Sequence, residues 1–226
     1  SDLVQHPKLQ DDPQRLDALT VLALTAGWSA EPVHTERVGK QLLDLDASTG
    51  SGQDLIRDQQ TRLLGHWAIG FSHWMQGQPI SALEHLSYAL DLYDPETSHP
   101  LGGSLVGDPG VMAHAMLGTV KWQLGYPDQA RACLRKAVAQ AEALEQPSSV
   151  IFAHYIAAMA TSVVGRDRDA ALNHAEALRP LTQVSLVYRA WAEMLTAMAQ
   201  VECGQTGMSA AKSEPQQDLA RVVEAG

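Results

Sequence analysis

Apolar residues recur three and four positions apart along almost the whole chain. Leu16, Leu19, Val21, Leu22 and Leu24 set the pattern ahead of Gly27, and no stretch sustains the alternation of a strand. Ala, Leu, Gln and Glu dominate and β-branched runs are short, which is helix-forming composition. The chain therefore reads as all-α. Helices are predicted over roughly 12–27, 31–48, 53–77, 79–93, 109–125, 127–145, 147–165, 167–182 and 185–204, with a looser stretch after 206. Gly27, Gly77, Gly125, Gly165 and Gly204 each end one helical stretch and precede the next. They lie 50, 48, 40 and 39 residues apart, the scale of helical hairpins in an array.

Aligning on these glycines brings small residues into register. Gly70 and Gly118 stand seven positions before their turn glycines, with Ala158 and Ala197 as the later equivalents. Ala82, Ala130 and Ala170 follow by five, and Ala89, Ala137 and Ala177 by twelve. Small side chains at fixed offsets let two helix axes approach closely. Pro79 and Pro127 stand two positions past their glycines, in a first helical turn, where a missing N–H costs nothing. Asp108 before Pro109 is an N-cap followed by a favoured first residue.

The run Leu117-Gly118-Thr119-Val120-Lys121-Trp122-Gln123-Leu124-Gly125-Tyr126-Pro127-Asp128-Gln129-Ala130, followed by Leu134 and Ala137, resembles the tetratricopeptide repeat. Residues 70–90 are nearly as close, the hairpin ending at Leu178 less so, and the likeness covers roughly residues 12–205. The resemblance implies a right-handed α–α superhelix of about five hairpins, at about 12–48, 53–93, 109–145, 147–182 and 185–226, the last partial. Residues 1–205 then form a single solenoid and 206–226 a polar tail. Leu92-Tyr93-Asp94-Pro95, then Gly107-Asp108-Pro109-Gly110-Val111, then the run from Trp122 to Ala130 resemble the C-terminal repeats of large bacterial signalling ATPases. Those proteins join a cyclase-like or DNA-binding output domain to an NTPase switch. The resemblance implies a cytoplasmic regulatory domain.

The chain has 226 residues, 45% of them apolar, enough to bury a core. Sixteen Lys+Arg against 26 Asp+Glu leave a formal charge of −10, which argues against nucleic acid and anionic membrane surfaces as partners. Cys133 and Cys203 form no disulfide framework, and no run of eighteen apolar residues suggests a membrane span. The first residue is Ser1, with no signal segment, and the chain reads as an excised intracellular piece of something larger.

No motif for catalysis emerges. Gly39-Lys40 lacks the upstream glycine of a phosphate loop, and zinc-protease, paired Cys-x-x-Cys and nucleophile-elbow motifs are missing. The chain is expected to be no enzyme and to need no cofactor. His66, His114 and His154 each stand eleven residues before a turn glycine, forming a row on successive first helices. Neighbouring helices sit about 10 Å apart, too far for that row to share one tetrahedral metal, so interhelical hydrogen bonding is the expected role.

In tetratricopeptide arrays the residues thirteen, ten, six and three positions before the turn glycine line the concave groove. Those positions hold Leu64, Trp67, Phe71 and Trp74, then Met112, Ala115, Thr119 and Trp122. Phe152, Tyr155, Met159 and Ser162 follow, and last Trp191, Met194, Met198 and Val201. Four of five tryptophans and four of seven methionines fall on this uncharged stripe, which suits an amphipathic protein segment or an apolar small molecule. The stripe also has a competing reading as core, or as a face covered by the loop 94–108 or the tail. The leading expectation is a helical-repeat sensor or scaffold that passes occupancy of this groove to an attached output domain. The alternative is self-association, as a homodimer or by docking on the parent chain.

Overall fold

The computed structural model describes residues 31–49, 55–95, 107–164, 167–180, 189–190 and 193–197. The predicted helix at 12–27, the loop between 95 and 107 and the polar tail lie outside them. Within them the protein is all-helical. Seven α-helices run in order: α1 (Pro32–Thr49), α2 (Leu55–Met75), α3 (Pro79–Asp91), α4 (Pro109–Gln123), α5 (Pro127–Leu144), α6 (Pro147–Met159) and α7 (Arg168–Ala177). A π-helical turn, Ala160–Val164, continues α6.

Five of these helices begin on proline, whose fixed φ suits the first helical position. The α2–α3 and α4–α5 turns are built identically. Gly77 (φ 71°) and Gly125 (φ 85°) adopt the left-handed conformation. Gly77 N–H donates to the Trp74 carbonyl and Gln78 N–H to that of His73; Gly125 and Tyr126 repeat both bonds to Trp122 and Lys121. These are paired Schellman closures, which satisfy the last carbonyls of each helix.

Each helix packs on the next, and α2 also touches α4 as α4 touches α6, so the first helices of successive hairpins are neighbours. One core runs from Val38 and Leu42 on α1 to Phe152, Ile156 and Ala160. A smaller cluster joins Ile151, Ala158, Ala175, Leu178 and Leu195. The hairpins close on glycine. A Cβ at Gly70 would sit 2.7 Å from Leu86 Cγ, and one at Gly118 would sit 2.7 Å from Leu134 Cγ. The α6–α7 hairpin, the third of those formed by α2 to α7, has alanine at both positions, Ala158 and Ala175, which share one apolar cluster.

That third hairpin corrects the glycine-based alignment. Ala82, Ala130, Ala89 and Ala137 are fully buried, as their register requires. Ala170 is only half-buried and Ala177 is exposed; the buried positions are Ala171 and Leu178, one residue later. Gln78 and Tyr126 cap α3 and α5 one residue past their turn glycines, whereas Asp167 caps α7 two residues past Gly165. The π-helical turn lies in the same interval, where Asp167 N–H reaches back to the Thr161 carbonyl at 2.9 Å.

Candidate functional site

The stripe begins on α2, where a 3-4-3 spacing puts Leu64, Trp67, Phe71 and Trp74 on one face. Trp67 and Phe71 stack with ring centroids 5.3 Å apart and planes 18° from parallel. Phe71 and Trp74 continue the ladder at 5.6 Å and 41°. On α4, Met112, Ala115, Thr119 and Trp122 are all buried, and Thr119 Oγ1 donates to the Ala115 carbonyl. On α6, Phe152 is buried while Tyr155 and Met159 are half-buried.

Depth divides these residues. Leu64, Trp67, Met112, Trp122 and Phe152 belong to the main core. Phe71, Trp74 and Tyr155 pack against that core with part of their surface exposed, and Met159 does the same at the smaller cluster. Met194 is exposed, and Trp191 and Met198 lie outside the described residues. Among the described stripe residues, Phe71, Trp74, Tyr155 and Met159 keep part of their surface and Met194 is exposed, while the others are buried.

Two details of this face were not legible in the pattern. The indole N–H groups of Trp67 and Trp74 are buried without a hydrogen-bond acceptor. Each such orphan donor costs about 1–3 kcal/mol. Charge also reaches the stripe from a neighbouring helix: the Arg131 guanidinium on α5 stands 5.4 Å from the Trp122 ring centroid, within cation–π range.

A second constellation assembles at the α3–α4 junction. Tyr93, just past α3, donates its hydroxyl to Asp108 Oδ2 at 3.1 Å. Gln140 Nε2 on α5 donates to the same hydroxyl at 2.8 Å and to Asp108 Oδ1 at 3.2 Å. Asp108 caps α4 by accepting from Val111 N–H at 2.9 Å, and its own N–H donates to Ser149 Oγ on α6 at 2.8 Å. Gly110 is obligatory beneath the phenol, because a Cβ there would lie 2.5 Å from Tyr93 Cζ. Burial raises the Asp108 carboxyl above its ordinary range, against the hydrogen bonds that favour its anion. Burial, then the Asp108 charge, raises the Tyr93 phenol. Residues from two separate sequence segments, Tyr93 and Asp108–Gly110, thus meet in one knot tying α3, α4, α5 and α6.

The histidine row behaves differently from hairpin to hairpin. His66 Nδ1 stands 2.9 Å from His85 Nδ1 on α3, and His154 Nδ1 stands 3.1 Å from His174 Nδ1 on α7. His114 Nδ1 bonds the Gly110 carbonyl of its own helix at 2.9 Å. Among the described residues no group of three or more His, Cys, Asp or Glu side chains is placed to hold a metal ion. Among them, too, no helix is long and apolar enough to cross a membrane. Cys133 is half-buried against the core; Cys203 is outside the described residues. No family model, curated protein or solved structure matches this chain.

Proposed function

We propose that the chain is a non-enzymatic helical-repeat module of tetratricopeptide type, wound as a right-handed α–α superhelix, that binds a protein segment along its aromatic and Met-rich face. An apolar small molecule fits the same chemistry. In this reading the module regulates an attached NTPase or output domain of a bacterial cytoplasmic signalling protein, through occupancy of that face.

The observation that carries the reading is the α2 ladder of Trp67, Phe71 and Trp74, in which Phe71 and Trp74 are part-exposed and the two indole donors lack acceptors. Aromatic residues that present area at the surface with backing from a rigid core are the usual anchors of an interface. The twin Schellman turns and the repeated glycine–leucine closure support the repeat assignment.

The test is selection of amphipathic helical peptides from a Leu/Lys-patterned library, followed by titration with tryptophan emission as readout. A selected peptide should bind at least about 30-fold more weakly to Phe71→Ala or Trp74→Ala, the loss typical of a hot-spot residue. Circular dichroism would verify that both variants keep their helices. Peptides that bind both variants as well as wild type would refute the assignment of this face. Self-association is the competing reading, and light scattering separates it: a mass that doubles with concentration, abolished by Trp74→Ala, would assign the face to a second copy.

A further inference from the structure

The two outer histidines of the row form a repeated device. His85 and His174 occupy the same place on their helices, the seventh residue of α3 and of α7, and each meets the histidine of the preceding helix nitrogen to nitrogen. The separation from first to second histidine is 19 residues in one hairpin and 20 in the other, the difference falling in the interval that holds the π-helical turn. Cys133 takes the corresponding place on α5, so the middle hairpin has no histidine pair there.

Two ring nitrogens at 2.9 and 3.1 Å form a hydrogen bond under one condition: one carries a proton and the other presents a lone pair. Neutral pairs satisfy this, and so do singly charged ones, in which an imidazolium donates to an imidazole. Doubly charged pairs do not. Both nitrogens would then carry hydrogen, and two cations would face each other at hydrogen-bond distance. We propose that the His66–His85 and His154–His174 contacts are proton-sensitive joints, holding α2 to α3 and α6 to α7 while a pair carries at most one positive charge and loosening both hairpins when the second ring charges.

The surroundings of each joint bear on its sensitivity. At the first, His73 on α2 lies edge-on to His85 with centroids 5.4 Å apart, and Tyr88 on α3 edge-on to His66 at 4.5 Å. Arg62 on α2 and Lys40 on α1 oppose further positive charge there, while Glu36 on α1 and Glu84 on α3 favour it. At the second, Glu142 on α5 stands 3.4 Å from His154 Nε2, and Asp167 at the start of α7 also favours a cation on His174. A proton on His154 Nε2 facing Glu142 leaves Nδ1 as the acceptor and makes His174 the donor. Burial, before any neighbouring charge, depresses all four rings, and His174 is pushed down to about 4.

In each case the folded value lies below the unfolded one, so the contribution to stability is present above pH 6.5 and is lost as the pH falls through the folded value. For His174 alone, moved from 6.5 to about 4, folding at pH 5 weakens about 30-fold relative to neutral pH.

The experiment is urea unfolding at pH 7.5 and pH 5 for wild type, for His85→Gln with His174→Gln, and for His114→Gln. The paired replacement keeps a hydrogen-bonding amide at each joint and removes one titrating ring from each. Expected is an acid-induced drop in the folding constant smaller by about 30-fold in the double variant than in wild type, with the His114→Gln drop still larger than that of the double variant. Equal drops in wild type and the double variant would overturn the proposal. Nitrogen-15 NMR of the imidazoles in wild type supplies a readout that needs no variant. Stepwise titration within each pair, with one Nδ1 protonated and one bare at neutral pH, is expected. Four rings titrating singly near 6.5 would overturn it.

Discussion

Gly118→Ala isolates what closes a hairpin in this protein. Its Cβ would stand 2.7 Å from Leu134 Cγ, 2.8 Å from Leu134 Cδ2 and 3.2 Å from the Ala130 carbonyl oxygen. Rotation of the leucine relieves the first two contacts, but the third is helix backbone. Overpacking of this kind costs about 1–3 kcal/mol, and the gain in helix propensity from glycine to alanine returns about 1 kcal/mol. A net loss of about 1 kcal/mol is expected. Leu134→Ala, at a site only 4% exposed, leaves a cavity and should cost about 3 kcal/mol. Combined, the new methyl occupies part of the space the leucine vacates, recreating the Ala158 and Ala175 arrangement of the third hairpin. The double variant should therefore be less destabilised than the sum, with a coupling energy of about 1–2 kcal/mol. Urea unfolding at neutral pH, followed by helical ellipticity, measures all four corners of the cycle. Additivity within about 0.5 kcal/mol would show that Leu134 does not limit the approach of α4 to α5, and the close-contact argument would fail for Gly70 and Leu86 too.

Other expectations follow from single features. Glu145 ends α5 in the left-handed region at φ 51° and is exposed, so Glu145→Gly should raise stability by up to about 1 kcal/mol, read as a higher urea midpoint. Asp108→Ala removes the α4 cap and leaves the hydroxyl of half-buried Tyr93 short of an acceptor; a loss of about 2–3 kcal/mol is expected, with Tyr93→Phe losing about 1. Because burial raises the folded Asp108 carboxyl, its contribution to stability is present in acid and is lost as the pH rises through that raised value. The stability difference between wild type and Asp108→Asn should accordingly shift toward wild type as the pH is lowered toward 4, and a pH-independent difference would contradict the burial argument.

Helix boundaries were legible because proline and glycine mark them by sterics alone. Pro79, Pro109, Pro127 and Pro147 open helices, and Gly77 and Gly125 close them, wherever the tertiary fold places those helices. The third hairpin broke the alignment for a physical reason. Its second helix is capped by Asp167, whose carboxylate accepts from Ala170 N–H at 3.1 Å, instead of opening on a proline two past the glycine. A glycine-anchored register carries no signal for that extra residue, so the small residues were placed one position early. The partners of the histidine row were also within reach. His85 and His174 stand at one helical position, but on second helices, outside the row that the first helices carry.

Depth is what periodicity cannot supply, and it decides which part of the stripe is available to a partner. The spacing of Leu64, Trp67, Phe71 and Trp74 fixes a common face on α2, but exposure along that face depends on where α4 comes alongside. Trp67 lies in the shared core at 2% exposure, whereas Trp74, two turns further on beside the Gly77 closure, keeps part of its surface. The other hairpins do not repeat this gradient: Tyr155 and Met159 are half-buried between buried Phe152 and buried Ser162, and Trp122 is buried beside its own closure. Under the proposed recognition, binding energy on α2 should reside at Phe71 and Trp74, and substitutions at the buried stripe positions should register as lost stability. Phe71→Ala and Trp74→Ala therefore test recognition, while Trp67→Ala and Met112→Ala test folding, at about 3–5 and 2–5 kcal/mol respectively. A variant set in which the deep positions lost peptide binding at unchanged urea midpoints would invert that order and place the open surface on the other side of α2.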